Sequence, residues 1–438
     1  MEGLKLILMV VYGLLLTFIL IYSFVQLSLV VHYLKRKRNT EKGKLPREWP
    51  TVTVQLPVYN ERYVIERLID AVCQFDYPSD QLEIQVVDDS TDETQAIIAE
   101  RVQHWKKKGL NIKQVLRDNR KGYKAGALAH ATPLATGEFV AIFDADFVPR
   151  PDFLKNTIPH FKDEKIGVVQ TRWEHLNKNY SLLTKLQAFG LDAHFSIEQK
   201  GRNLGKHFIN FNGTAGVWRK ETIADAGGWE SDTLTEDLDL SYRAQLKGWK
   251  FLFLEEVGAP AELPANMPAL KSQQYRWTKG GAECAVKNLK KVIQDEKLRF
   301  GTKLHAAFHL MNSLLFVCIL ATALLSVPLL VMKHQTTVYN EIIQWGAVFV
   351  ISLIILSIFY AISFVNGAQS KWRAILVFPV RFFMFLSVSM GMSLHNAIAV
   401  VEGLYGKKTP FVRTPKFSLE DNKGGWTGKK YLTKSVSG

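Results

Sequence analysis

The chain has 438 residues, and its 55 Lys+Arg outweigh 41 Asp+Glu to give a net charge of +14. That length holds one substantial soluble domain plus several membrane spans. No basic run is interleaved with aromatics, which argues against a nucleic-acid partner; the excess suits cytoplasmic loops and small phosphate-bearing ligands. Cys73, Cys284 and Cys318 lie far apart, with no CxxC pair and no neighbouring His cluster, so neither a disulfide framework nor a zinc site is expected. The soluble region belongs in a reducing compartment.

Leu4 to Val31 is a nearly uncharged run, long enough to cross a hydrocarbon core of about 30 Å. A cleaved signal peptide would have a shorter apolar core and a small-residue cleavage site. Lys35-Arg36-Lys37-Arg38 follows at once, and such clusters stay cytoplasmic. Residues 1–38 are therefore predicted as a transmembrane helix with a basic flank, its N-terminus outside the cytoplasm.

From Thr51 strands and helices alternate. Thr51–Pro57, Leu82–Val87, Asn111–Leu116 and Glu138–Phe143 read as strands. Between them, Glu61–Cys73, Thr94–Lys107 and Lys124–Leu134 carry helical patterns. This βαβαβαβ order predicts an α/β domain over residues 45–300, with a mostly parallel sheet and helices on both faces. Ligands then bind beyond the carboxyl ends of the strands.

Three acidic sites follow predicted strands or open predicted helices. Asp88-Asp89-Ser90 follows the second strand, either as a simple turn or as an acceptor for base N–H groups or ribose hydroxyls. Asp144-Ala145-Asp146 follows the fourth; residues i and i+2 of an extended segment point the same way. Two converging carboxylates repel unless a cation lies between them, which fits Mg²⁺ or Mn²⁺ together with substrate phosphates. Thr235-Glu236-Asp237 opens a helical segment, with Thr235 as its expected N-cap. A carboxylate in that first turn, Glu236 or Asp237, suits a general base that deprotonates an attacking sugar hydroxyl.

Farther along, Gln273, Arg276 and Trp277 fall three and four apart on one helical face. The bland reading is a basic membrane-proximal helix with an interfacial Trp. The functional one sets Arg276 on a pyrophosphate and offers Trp277 as a platform for an acceptor sugar. Lys124 sits at a predicted helix start, a place for a phosphate contact. Neither GxxxxGK[ST] nor GxGxxG occurs, which leaves ordinary ATP and dinucleotide folds without support.

Beyond Gly301, spans are predicted near Ala306–Met332 and Ile342–Val365. Trp372–Val401 is apolar but holds Arg381 and His395 and is interrupted by Pro379. If it crossed, Lys407, Lys408, Arg413 and Lys416 would lie outside, against the positive-inside bias; a helix lying in the cytoplasmic interface removes the conflict. Residues 301–403 are thus expected to form transmembrane and interfacial helices. Residues 404–438 are expected to form a cytoplasmic tail that stops short of further spans.

Taken together, Asp88-Asp89, Asp144-x-Asp146, Thr235-Glu236-Asp237 and Gln273-x-x-Arg276-Trp277 resemble the D, D, D, QxxRW signature of processive family 2 glycosyltransferases. Cellulose, mannan, hyaluronan and chitin synthases belong to that family. The resemblance covers about Thr51 to Val292. It implies a GT-A fold, Pro57, Tyr59, Glu61 and Asp89 on the nucleotide, and Asp144 and Asp146 on the metal. It further implies Asp237 as the base, and Phe211-Asn212-Gly213-Thr214 as the loop around the acceptor's terminal sugar. Phe411-Val412-Arg413-Thr414-Pro415-Lys416 is similar to a cytoplasmic gating loop, FxVTxK, with Arg413 in place of the usual Val.

The expected activity is inverting transfer from a nucleotide-diphosphate sugar, UDP-glucose or GDP-mannose, onto a β-linked polysaccharide at a bilayer. One carboxylate base suffices for a single displacement with inversion, whereas a retaining double displacement needs a second, nucleophilic carboxylate. The rivals are a single-transfer glycolipid synthase and a membrane scaffold that binds nucleotide sugar without turning it over. Accessory subunits are left open.

Overall fold

The computed structural model describes residues 2–35, 43, 46–333, 340–421, 425 and 429. Its soluble part is built on one seven-stranded sheet, in the order β3-β2-β1-β4-β6-β5-β7. The strands are β1 Val52–Val58, β2 Leu82–Asp88, β3 Asn111–Leu116, β4 Phe139–Ile142, β5 Ile166–His175, β6 Gly216–Arg219 and β7 Lys250–Ala261. β3, β2, β1 and β4 run parallel, whereas β6 enters antiparallel between β4 and β5. β2 and β4 are buried along their whole lengths and β1 along all but one residue. β4 reads as a continuous apolar run, whereas β1 and β2 alternate with buried polar residues that satisfy one another, Thr53 donating to Glu83 at 2.6 Å and Gln55 to Gln85 at 3.0 Å.

The helices packed around this sheet are α2 Ile65–Cys73, α3 Thr94–Lys107, α4 Tyr123–Ala131, α5 Phe153–Thr157, α6 Leu182–Ala193, α7 Lys200–Leu204, α8 Lys220–Asp225, α9 Glu236–Leu246 and α10 Met267–Gln294. α2 shows the logic: Ile65, Leu68, Ile69 and Val72 recur at i, i+3, i+4 and i+7 and are all buried. Its start is later than the sequence suggests. Asn60, at φ 54°, turns the chain, and its amide N–H donates to Ser90 Oγ at 2.9 Å. Ser181 caps α6 in a reciprocal box with Thr184. Between α6 and α7 the helix widens into a π-helical turn, His194–Gln199.

Two apolar cores flank the sheet, one around Val54, Leu56, Phe143 and Phe153, the other around Val140, Trp218 and Phe253. Trp218 is fully buried, with ring centroids of Phe211, Trp229 and Phe251 at 5.4, 5.7 and 5.4 Å. Trp218→Ala is expected to cost about 3–5 kcal/mol, read as a lower midpoint of thermal or denaturant unfolding.

The apolar helices are α1 Glu2–Leu34, α12 Leu314–Lys333, α13 Asn340–Asn366 and α14 Lys371–Gly391, with α11 Phe300–Leu310 and α15 Ser393–Leu404 beside them. Among the described residues, Gly3–Leu34, Leu314–Val331 and Lys371–Gly391 are long and apolar enough to cross a membrane. The single span expected over Ala306–Met332 is divided at residues 311–313. α11 stays against α10, and Tyr242 of α9 hydrogen-bonds His309 at 2.9 Å. The segment Trp372–Val401 is also two helices. Pro379 is accommodated inside α14 and the break falls at Met392; α15 then packs on α10 and α12. Of the predicted basic flank only Lys35 is described; Arg36–Arg38 lie outside the described residues. Cys73, Cys284 and Cys318 are buried free thiols, as their spacing suggests.

Candidate active site

A cleft opens where β1, β2 and β4 end and the chain turns into α4 and α9. Its walls include Pro57, Tyr59, Glu61, Asp89, Lys124, Asp144, Asp146, Asn212, Gly213, Glu236, Asp237, Gln273, Arg276 and Trp277. The carboxyl-end rule thus gathers motifs that lie almost two hundred residues apart in the chain.

At the centre are Asp144 and Asp146. The Lys124 ammonium contacts Asp144 and also donates to the Gly213 carbonyl at 2.9 Å. Lys416, from the tail, contacts Asp146 at 2.7 Å. Burial raises the pKa of Asp144 while Lys124 opposes the rise and Asp146 adds to it. Lys124 itself is held above its ordinary value, because Asp144, with Glu236, outweighs its burial. Two neighbouring carboxylates, Asp146 buried and Asp144 facing the cleft, each draw in an ammonium group; they are hard oxygen donors in want of positive charge, and they fit a divalent cation. A second acidic cluster, Glu230, Asp232 and Asp239, is already served by Lys287 at 2.6, 2.8 and 3.0 Å and is an ion-pair knot away from the cleft.

Asp237 sits in the first turn of α9. Burial pushes it up to about 7, with the Glu236 carboxylate adding and Lys124 opposing. Gly213, at φ +78°, lies against it; a Cβ there would stand 3.1 Å from Asp237 Oδ2. Only glycine suits that backbone and that gap. Thr235 does not cap α9 with its side chain. Its hydroxyl instead lies 3.3 Å from Cys284 Sγ, because α10 approaches closely where Gly280 has no Cβ to strike Thr235. That close approach brings Gln273, Arg276 and Trp277 to the same cleft as Asp237.

Arg276 lines the cleft, but its guanidinium donates to the Val412 carbonyl and, at 2.8 Å, to Thr414 Oγ1, and it lies 4.7 Å over Phe411. Burial lowers its pKa to about 10. The tail so held roofs the cleft with Phe411, Arg413, Thr414 and Lys416. Glu262 anchors it by accepting the Phe417 and Leu419 amides at 2.7 and 3.0 Å. Arg413, the departure from FxVTxK, pairs with Glu61 at 3.1 Å, against the burial that pushes Glu61 up to about 8.

Some expected contacts fall elsewhere. Asp88 is buried off the cleft, accepting from Ser90 N and Gln114 Nε2 at 2.8 Å each, so it braces the turn. Asp89 lines the cleft but is held in a fork by Arg117 at 2.6 and 2.5 Å. Phe211 is buried against Trp218, and Thr214 Oγ1 accepts the Asp144 amide at 2.9 Å; both shape the site from behind. Arg120, stacked 3.3 Å over Tyr59, and Trp173, 6.4 Å from Trp277, were missed by motif reading. The β3–α4 turn that carries Arg117 and Arg120 was nonetheless marked out by its place at a strand's carboxyl end.

The family model "Glycosyltransferase like family 2" matches residues 50–280. The chain is a family 2 glycosyltransferase. Its relatives include glucomannan 4-beta-mannosyltransferase 1 of Oryza sativa subsp. japonica, 38% identical over 387 residues, covering 84% of this chain and 69% of the relative. Glucomannan 4-beta-mannosyltransferase 2 of Arabidopsis thaliana is 37% identical over 399 residues, covering 87% and 70%. The Cyamopsis tetragonoloba enzyme of the same name as the rice one is 41% identical over 333 residues, covering 71% of this chain and 63% of its own length. A Pyrobaculum calidifontis mannosyltransferase solved with GDP-Man and Mn2+ superposes with a TM-score of 0.62 at 21% identity, over 92% of this chain and all of that one. This second likeness speaks to the fold alone: the family 2 glycosyltransferase has the GT-A-like architecture its strand order suggests.

Proposed function

We propose that this glycosyltransferase moves mannose from a nucleotide-diphosphate donor onto a growing β-linked polysaccharide. The observation that carries this reading is the meeting of Asp144, Asp146 and one further carboxylate, the half-buried Asp237, in a single cleft. The names of the relatives favour mannose as the sugar.

In this reading Asp144 and Asp146 hold Mg²⁺ or Mn²⁺. A bound cation there neutralises charge on the departing diphosphate. Lys124 adds a second positive charge, and Pro57, Tyr59 and Asp89 flank the nucleoside. Asp237 takes the proton of the acceptor hydroxyl as that oxygen attacks the anomeric carbon. With no second carboxylate cast as nucleophile, an α-linked donor yields a β-linked product. The acceptor sugar lies on Trp277, near Asn212 and Gly213. Trp277→Ala is expected to raise the acceptor KM roughly tenfold, through lost stacking and burial, with little change in donor affinity; initial rates against acceptor concentration check this.

For the membrane we propose a cytoplasmic cleft. The tail that roofs it follows α15, which packs on α10, and α14 before it packs on α6 of the sheet-bearing domain, so the pair returns to that domain. That return supports an interfacial rather than crossing course for the pair. Incubating membranes that hold the protein with a panel of labelled sugar nucleotides tests the function. Long polymer from the mannose donor supports it; one sugar on lipid, or donor bound without turnover, overturns it.

A further inference from the structure

The backbone of the loop 210–214 is fixed several times over. Phe211 N donates to Ser241 Oγ at 2.9 Å, and Ser241 Oγ donates to the Asp237 carbonyl at 2.6 Å. Asn212 N donates to Gln170 Oε1 at 2.9 Å, and Lys124 reaches the Gly213 carbonyl. The loop is therefore tied to the helix of the base and to the metal carboxylates. What these bonds leave undetermined is the direction of the Asn212 side chain, which lines the cleft.

That direction is set by a separate group, His194, which is backed by a buried ion pair. His194 opens the π-helical turn, where its Nδ1–H donates to Glu198 Oε2 at 2.6 Å. Its Nε2 faces Asn212 Oδ1 at 3.3 Å, so the ring meets an oxygen at each nitrogen and donates to both when both carry protons. Glu198, on the next turn, is locked by Arg202, whose side chain is 3% exposed, and receives Gln26 Nε2 of α1 at 3.4 Å. Burial works against the Glu198 charge, but Arg202 and His194 hold its pKa far below the usual carboxylate range. Asn210 Nδ2 donates to Asn212 Oδ1 at 2.8 Å, while Asn212 Nδ2 is buried without a partner among the described residues. A buried amide N–H₂ with nothing to donate to costs free energy unless a ligand or water completes it. In this cleft a sugar hydroxyl is the oxygen that would do so. A π turn within a helix recurs at functional sites, and here it carries the ring that faces the loop.

We propose that His194 is a positioning residue: braced by Glu198, it aims the Asn212 amide at a hydroxyl of the acceptor sugar. This rests on reading the cleft as a sugar-transfer site. Because Gln26 belongs to α1, the same brace ties the acceptor subsite to the first apolar helix.

The test uses the full chain with labelled GDP-mannose, Mn²⁺ and mannotetraose, reading sugar incorporated per donor consumed. In His194→Phe, which keeps a ring but removes both nitrogens, the acceptor KM rises about tenfold and more donor is lost to water. The Kd for GDP with Mn²⁺ stays within about twofold, since no nucleotide contact is touched. His194→Gln, which can still hydrogen-bond, recovers part of the loss and covers the case in which the Phe variant fails to fold. Combined with Asn212→Ala, His194→Phe adds no further penalty, because both remove one interaction. Additive losses, an unchanged acceptor KM, or an equal loss of GDP affinity would overturn the assignment. A wild-type protein that binds GDP but transfers to no acceptor would instead overturn the transferase reading beneath it.

Discussion

Asp237→Asn is expected to lower kcat by about 10²- to 10⁴-fold while GDP affinity changes by no more than about twofold, the range for removing one general base. Asn keeps the shape of the side chain beside Gly213 but cannot take a proton. The same residue sets a pH dependence. Its carboxyl is raised to about 7 by burial, with Glu236 adding, so below that pH it is protonated and idle. kcat/KM should therefore climb as pH rises through about 7 and level off above it. For stability the sign is opposite: a raised folded-state pKa favours the fold at low pH, and that contribution is lost as pH rises through about 7. Asp237→Asn is accordingly expected to melt higher than the parent at pH 8 while being nearly inactive, as is common where a site stores unfavourable charge. Steady-state rates and thermal melts across pH 5 to 9 check both.

Removal of divalent cations is the second large effect. A chelator is expected to reduce transfer at least about a hundredfold, the scale of several kcal/mol of leaving-group stabilisation, and Mn²⁺ or Mg²⁺ in excess should restore it. Asp146→Asn should show the same loss without rescue. Asp146 is buried and Asp144 faces the cleft, and Lys124 and Lys416 supply the compensating charge. A lysine can balance a carboxylate but cannot bridge it to a diphosphate as a divalent cation does, so these contacts do not replace the cation. Transfer undiminished in chelator would remove Asp144 and Asp146 from the proposed metal role.

How far the sequence spoke depended on the range of each interaction. β3 and α3 match their sequence bounds residue for residue, because a strand or helix with flanking turn signals declares itself locally. Asp144 and Asp146 were legible for the same reason: a short apolar strand ends in two acids of one parity. Contacts made across the chain were not. Nothing near Asp89 announces that Arg117 occupies it, and Arg413 looks like a defect in a motif until Glu61 is seen opposite. Arg276 read as a free phosphate ligand because its partners, Val412 and Thr414, lie more than 130 residues onward. The division between α11 and α12 escaped because composition stays apolar across it; packing against α10, not sequence, holds α11 apart. The π turn at His194 has no motif at all, and only the buried Glu198–Arg202 pair betrays it.

Stereochemistry gives the most direct measurement. In the proposed mechanism a single base, Asp237, beside the carboxylate pair Asp144 and Asp146 allows one displacement at the anomeric carbon. Proton NMR of the first product formed from α-configured GDP-mannose and mannotetraose should show a new β-mannosidic signal and no α. An α-linked product would mean retention of configuration, and Asp237 could not then be the base of a single inverting displacement.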